Sequence, residues 1–149
     1  MKPAHKAGWA ALAVAFVGGF EGFRTTAYRD PIGVVTVCAG ETRNVRMGDT
    51  HTMDECRAML ADRLVEFDTG VRSCVPGVLP DPTRAAFVSL AYNIGTGGFC
   101  RSSVVRLWNA GHKSEACDAM LKFNRAAGIV FPGLTRRRNA ERDLCREGI

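Results

Sequence analysis

EGFRTTAYRDPIGVVTVCAGET, residues 21–42, is the stretch whose reading decides the fold. It opens with a carboxyl, Glu21, directly after the apolar run Ala7–Phe20. In its middle Asp30-Pro-Ile-Gly33 is a turn signal, and the β-branched run Val34–Val37 that follows is a strand candidate. Residues 25–45 are therefore expected to form a small hairpin sheet, and residues 7–20 a helix. Downstream the pattern turns helical. Thr52 is expected to cap a helix starting near Met53, with Glu55 as its capping-box partner. Met59, Leu60, Leu64, Val65 and Phe67 carry that helix toward Asp68–Gly70. A proline-rich connector spans residues 75–82. Asp81 is the expected N-cap of the next helix, with Pro82 at its first position. Ala85, Ala86, Phe87, Leu90, Ala91 and Ile94 make this helix a largely buried one, which Gly95–Gly98 ends. Residues 102–109 and 114–122 read as two shorter helices, 124–133 as irregular, and 135–147 as a basic helix. The sum is an α+β protein.

A chain of 149 residues suits one domain, with roughly 70% of the unfolded surface buried. Its composition, 46% hydrophobic and 23% charged, excludes a disordered or low-complexity chain. The formal charge of +5 favours an anionic partner, without choosing among nucleic acid, anionic lipid and bacterial cell wall. The six cysteines contain no C-x-x-C pair, which argues against zinc. Their even number and wide spacing suit three disulfides in an oxidising compartment; six buried thiols are the bland alternative. His5, His51 and His112 have no ligand spacing, and no metal is assigned.

The chemistry concentrates in the opening stretch. Cleaving a glycosidic bond takes a protonated carboxylic acid near the leaving oxygen and a second polar group that handles water or the developing cation. A carboxyl in apolar surroundings keeps its proton, whereas one in a solvated turn stays ionised. Glu21, flanked by Phe20 and Phe23, matches the first description. Asp30 in its turn matches the second. Thr36, six residues on, carries a hydroxyl able to hold a water. A surface glutamate and a plain turn aspartate would look the same pairwise, so the pair alone does not decide.

The full pattern is more specific. E-G-x-R-x-x-A-Y-x-D-x-x-G-x-x-T followed by G-x-T closely resembles the signature of phage-type lysozymes (endolysins, glycoside hydrolase family 24), including those of the signal-arrest-release kind. The resemblance runs from about Ala7 to Cys145. It implies a lysozyme-like fold over residues 1–149, with an apolar N-terminal segment (1–20), a catalytic hairpin lobe (21–50), a helical lobe (51–149) and the cleft between the lobes. It implies hydrolysis of the β-1,4 bond between N-acetylmuramic acid and N-acetylglucosamine in peptidoglycan, by inversion, leading to host cell lysis. Glu21 would be the general acid, with Asp30 and Thr36 placing the water. No metal or cofactor is implied. Leu90-Ala-Tyr-Asn-Ile-Gly95 resembles the far wall of the cleft, which makes Tyr92 and Asn93 candidate sugar contacts. Cysteines at similar places in secreted members imply the pairs Cys38–Cys56, Cys74–Cys100 and Cys117–Cys145. Two departures stand out. Cys38 replaces a usual glycine, and Glu41 replaces a frequent histidine. Arg24 reads as structural, paired with a nearby carboxylate.

The N-terminus carries alternatives. Met1, Lys2 and Lys6 before residues 7–20 look like a charged n-region and an apolar h-region, shorter than the ~20 residues that span a bilayer comfortably. The segment is a buried first helix, an uncleaved weak membrane signal, or both in succession. In the last case Glu21 is held at the bilayer surface until release. Trp9 is then an interface anchor or core. Arg136–Arg138, Arg142 and Arg146 read as a solvated basic face with intrahelical pairs to Glu141 and Asp143, more than as a wall- or lipid-binding patch. The expectation is a monomer, exported to the periplasm, acting on peptidoglycan and not on nucleic acid. A lytic transglycosylase, and a non-catalytic basic protein that binds wall or membrane, are the competing readings.

Overall fold

The structure is a computed structural model and describes residues 8–149. The n-region, His5 and Ala7 lie outside the described residues.

Helix α1 (Trp9–Glu21) is apolar to its last turn, and Glu21 is its final residue, not the first residue after it. The chain leaves the helix through Gly22 at φ +73°, whose N–H still donates to the Gly18 carbonyl. An L side chain there would be strained. Strands β1 (Arg24–Arg29) and β2 (Val35–Cys38) pair antiparallel, with Tyr28 opposite Thr36 and Arg29 opposite Val35. Val34, expected within the strand, instead belongs to the turn.

Helix α2 (Met53–Cys74) begins at the expected capping box: Thr52 accepts from the Glu55 amide, and Glu55 accepts from that of Thr52. It does not stop at Gly70. Gly70 serves close packing, because a Cβ there would lie 2.5 Å from the Thr96 methyl. Val65, one of the apolar residues that mark this helix in the sequence, faces solvent. Helix α3 (Asp81–Ile94) has Pro80 as N-cap, and Asp81 is its first residue, so the expected cap is displaced by one. Positions 85–91 of α3 are all buried, making it the central helix.

After Gly95 the chain resumes a short helix, α4 (Thr96–Cys100), where only a stop is expected. Helix α5 (Ser103–Asn109) is capped by the Ser102 hydroxyl. Helix α6 (Lys113–Ala119) passes into a 3₁₀ turn over Met120–Lys122. Residues 124–133, expected to be irregular, contain a two-residue hairpin of β3 (Arg125–Ala126) and β4 (Ile129–Val130). The final helix α7 (Pro132–Glu147) starts three residues before its expected position.

Two apolar clusters result. The larger wraps α3 and includes Leu64, Phe87, Leu90, Phe99, Val104, Trp108 and Met120. The smaller holds only Ala27, Val37, Cys38 and Cys56 under the hairpin. Phe23 packs against both. Trp9 packs on the larger cluster beneath the Arg84 guanidinium, 4.6 Å from the ring centroid. Asp68 fixes Arg84 with two 2.7 Å hydrogen bonds. Disulfides join Cys38 to Cys56, Cys74 to Cys100 and Cys117 to Cys145. Each closes a loop worth roughly 3 kcal/mol of chain entropy.

Candidate active site

Between the hairpin lobe and the helices lies a cleft of about 590 Å³, lined among others by Glu21, Gly40, Thr42, Arg63, Tyr92 and Asn93. Three of the five residues singled out for catalysis or substrate contact, Glu21, Tyr92 and Asn93, thus share one cleft. Asp30 and Thr36 are not among its lining residues.

The C-terminal end of α1 delivers Glu21 into this cleft. The expected apolar enclosure is absent: the side chain is 30% exposed and Phe20 is 42% exposed. A buried arginine is its neighbour instead. Arg137 Nη1 donates to Glu21 Oε1 over 2.6 Å, and Glu21 Oε2 has no hydrogen-bond partner among the described residues. One oxygen is anchored, and the other is available to a ligand.

Arg137 belongs to a cluster at the centre of α7. It also donates to Glu141 Oε2 (3.3 Å) and to the Ser89 carbonyl (3.4 Å). Arg138, fully buried, donates to Asn93 Oδ1 (2.9 Å), to the Phe123 carbonyl (3.2 Å) and to Glu141 Oε2 (3.3 Å). Its Nε lies 2.6 Å from Glu141 Oε1 but off the N–H direction, so that contact is ionic without a hydrogen bond. Ser89 donates to Glu141 Oε2 at 2.6 Å. Two guanidiniums thus face two carboxyls, Glu21 and Glu141, and charge balances where isolated charges would be costly. Burial pushes the Glu141 carboxyl up and the Arg138 guanidinium down, each opposed by the other's charge. The solvated basic face is therefore corrected. The intrahelical pairs exist, but Arg137 and Arg138 point inward, while Arg136 and Arg146 remain exposed.

Tyr92 donates to the Ala39 carbonyl at 2.6 Å and stacks edge-on against Phe67. Burial, then the Glu21 and Glu41 carboxylates, push its phenol up to about 12. It therefore keeps its proton and ties α3 to the hairpin lobe. Gly40, at φ +87°, lies against the same hydroxyl, which a Cβ would approach to 3.4 Å.

On the hairpin, Asp30 Oδ1 accepts from the Ile32 and Val34 amides at 3.0 and 2.8 Å. Thr36 is buried, and its hydroxyl donates to the Val34 carbonyl at 2.9 Å. Both side chains thus brace the turn through Val34. Asp30 Oδ2 has no partner among the described residues. Arg24 has no carboxylate partner there either; its guanidinium sits 4.1 Å over the Tyr28 ring, a cation–π contact in place of the expected ion pair.

Glu41 forms an ion pair with Arg63 of α2, both side chains nearly buried. Arg63 also reaches Glu66, and Arg43 reaches Glu66 from the hairpin side. Through Arg43, Arg63 and Glu66 this polar chain lines the cleft, with Glu41 in place of the histidine that the resemblance makes frequent there. Among the described residues no three His, Cys, Asp or Glu side chains gather as a metal site.

Sequence reasoning missed Arg137, Glu141, Ser89 and Arg63. Leu134, Arg138, Glu141 and Cys145 recur at three- and four-residue steps. That stripe was the available signal for an inward face.

Residues 18–141 match the phage lysozyme family model. The chain belongs to the phage lysozyme family. Among its relatives, the SAR-endolysin of Bacteriophage PS119 is 38% identical over 85% of this chain and 77% of that one. The SAR-endolysin of Enterobacteria phage P21 is 35% identical over 93% of this chain and 89% of its own length. Of solved structures, a point mutant of P22 lysozyme superposes with a TM-score of 0.85 at 29% identity, covering 91% of this chain and 95% of that one. This phage lysozyme thus has a mostly helical lysozyme fold with a small hairpin.

Proposed function

We propose that this phage lysozyme is a peptidoglycan-hydrolysing endolysin, a muramidase that cleaves the β-1,4 bond after N-acetylmuramic acid with Glu21 as general acid. The observation that carries the assignment is the Glu21 carboxyl in the interlobe cleft, one oxygen anchored by Arg137 and the other unengaged. A general acid must present its proton at a fixed place, and the Arg137 anchor supplies that. Asp30 and Thr36 act on the water from the hairpin side. The turn amides occupy one carboxylate oxygen of Asp30, leaving Oδ2 to accept a proton from water. The Thr36 hydroxyl spends its own proton on Val34 and offers lone pairs to the same water. The test is turbidity clearance of purified peptidoglycan. Glu21→Gln should lower the rate about 10²–10⁴-fold in a variant that still folds, as read by circular dichroism. Full activity in that variant, or anhydro-muramyl ends in wild-type digests, overturns the assignment.

We further infer that the protein is exported to the periplasm, and that residues 7–20 first sit in the inner membrane before Trp9–Phe20 take their place in α1. Two features support this. Helix α1 carries no charge before Glu21, and its outward face leaves Ala11, Ala15, Gly19 and Phe20 exposed. An apolar groove of about 660 Å³ runs beside it between α1 and α2. A helix apolar all round is normally buried or membrane-embedded. No helix among the described residues is long and apolar enough to cross a membrane. Fractionation after a pulse label should find unprocessed chain in the membrane first and later in the periplasm. A wholly soluble chain from synthesis onward, or a mature form lacking the segment, sinks this reading.

A further inference from the structure

Asn93 sits in the last turn of α3 and lines the cleft. Its carboxamide is polarised by what lies behind it. Arg138 Nη2 stands 2.9 Å from one fork of the amide. A guanidinium has donors only, so the fork facing it must be the carbonyl oxygen. That removes the usual ambiguity of an asparagine side chain. The NH₂ fork donates to no described residue and belongs to a residue that lines the cleft. Arg138 itself cannot turn away. It is fully buried, its Nη1 donates to the Phe123 carbonyl, its Nη2 also donates to Glu141, and its Nε lies in ionic contact with Glu141 Oε1.

We propose that Arg138 is a positioning residue that fixes the Asn93 amide as a donor-only group in the cleft, and that this amide recognises an acetamido carbonyl of the glycan. The proposal rests on the muramidase reading above. A sugar hydroxyl can rotate to donate or accept, so a group that only donates selects weakly among hydroxyls. An acetamido carbonyl only accepts, and every residue of an N-acetylated glycan carries one. Pre-orientation matters because a freely turning amide would present its oxygen part of the time and repel that carbonyl. The buried ion cluster then serves both walls of the site. Arg137 holds Glu21, and the adjacent Arg138 holds Asn93.

The experiment measures kcat/KM of wild type, Asn93→Asp and Arg138→Lys on peptidoglycan and on the same material chemically N-deacetylated. Asn93→Asp keeps the oxygen that Arg138 binds and replaces the donors by a second acceptor. On acetylated glycan it should lose about 10–100-fold, the worth of one well-placed hydrogen bond to substrate. On deacetylated glycan, whose amines are donors, it should lose less than about 3-fold, so acetyl preference collapses. Equal losses on both substrates, or no loss on either, overturn the proposal. Wild type inactive on both would instead sink the muramidase reading. Arg138→Lys keeps a cation for Glu141 but lacks the fork, and should lose acetyl preference in the same direction. Unchanged preference in the folded variant counts against Arg138. Should that variant fail to fold, the ¹⁵N side-chain signal of Asn93 in wild type decides. A rigid NH₂ group is expected, and a freely rotating one overturns the positioning role.

Discussion

The hairpin lobe and the helical lobe are held together by different physics. Behind the helical lobe stands a large apolar cluster, with a buried, charge-balanced set of arginines and glutamates beside it. The cluster under the hairpin lobe has four buried apolar residues, too few to order a hairpin; one of them, Cys56, comes from α2, and it is joined to Cys38 by a disulfide. It is fastened instead at points: Cys38 to Cys56, the Ala39 carbonyl to Tyr92, and Glu41 to Arg63. A small lobe that forms one wall of an open cleft, through Gly40, Thr42 and Arg43, has little room to grow a core there. Covalent and polar ties take the place of apolar area.

That contrast can be broken by experiment. The largest effect is expected at Glu141. Glu141→Ala leaves Arg138 with no carboxylate, and an uncompensated buried charge costs about 3–5 kcal/mol, read as a lowered urea midpoint. A loss below about 1 kcal/mol would mean that apolar packing alone carries the helical lobe. Next, Cys38→Ala with Cys56→Ala should cost roughly 3 kcal/mol. Amide exchange should speed up in residues 24–50 far more than in α3. Uniform acceleration would show that the lobes unfold as one unit. The smallest effect tests the Tyr92 tie. Its phenol is raised to about 12 from an unfolded value of about 10. The associated stability is therefore fully present below about pH 10 and lost as pH rises through about 12. Between those limits wild type should lose roughly 1–2 kcal/mol more than Tyr92→Phe. Parallel profiles would show that burying the phenol beside the Glu21 and Glu41 carboxylates contributes no such stability.

The two regions also differed in how far the sequence revealed them. The hairpin was legible because its information is local. Glycine, proline and β-branched residues sit at fixed offsets, and Thr52 with Glu55 caps the next helix as the pattern requires. The arginines of α7 were misread because a basic run is usually solvated. Their partners Glu21, Ser89 and Asn93 lie 45 or more positions away in the sequence. Gly70 misled for a related reason: a residue that breaks helices in isolation was placed inside one to admit Thr96. The enclosure of Glu21 was also overdrawn. Flanking phenylalanines say what is adjacent along the chain, and the structure put an arginine against the carboxyl instead.

The order of the disulfides has a consequence for assembly. Each bridge joins a cysteine to the next one in the chain, 38 to 56, 74 to 100 and 117 to 145, so the loops neither overlap nor nest. A polypeptide threaded N-terminus first into an oxidising space presents its thiols in that order. A catalyst that simply joins the first two thiols to emerge, and then the next two, writes the native connectivity without proofreading. Of the fifteen ways to pair six cysteines, this one needs no reshuffling.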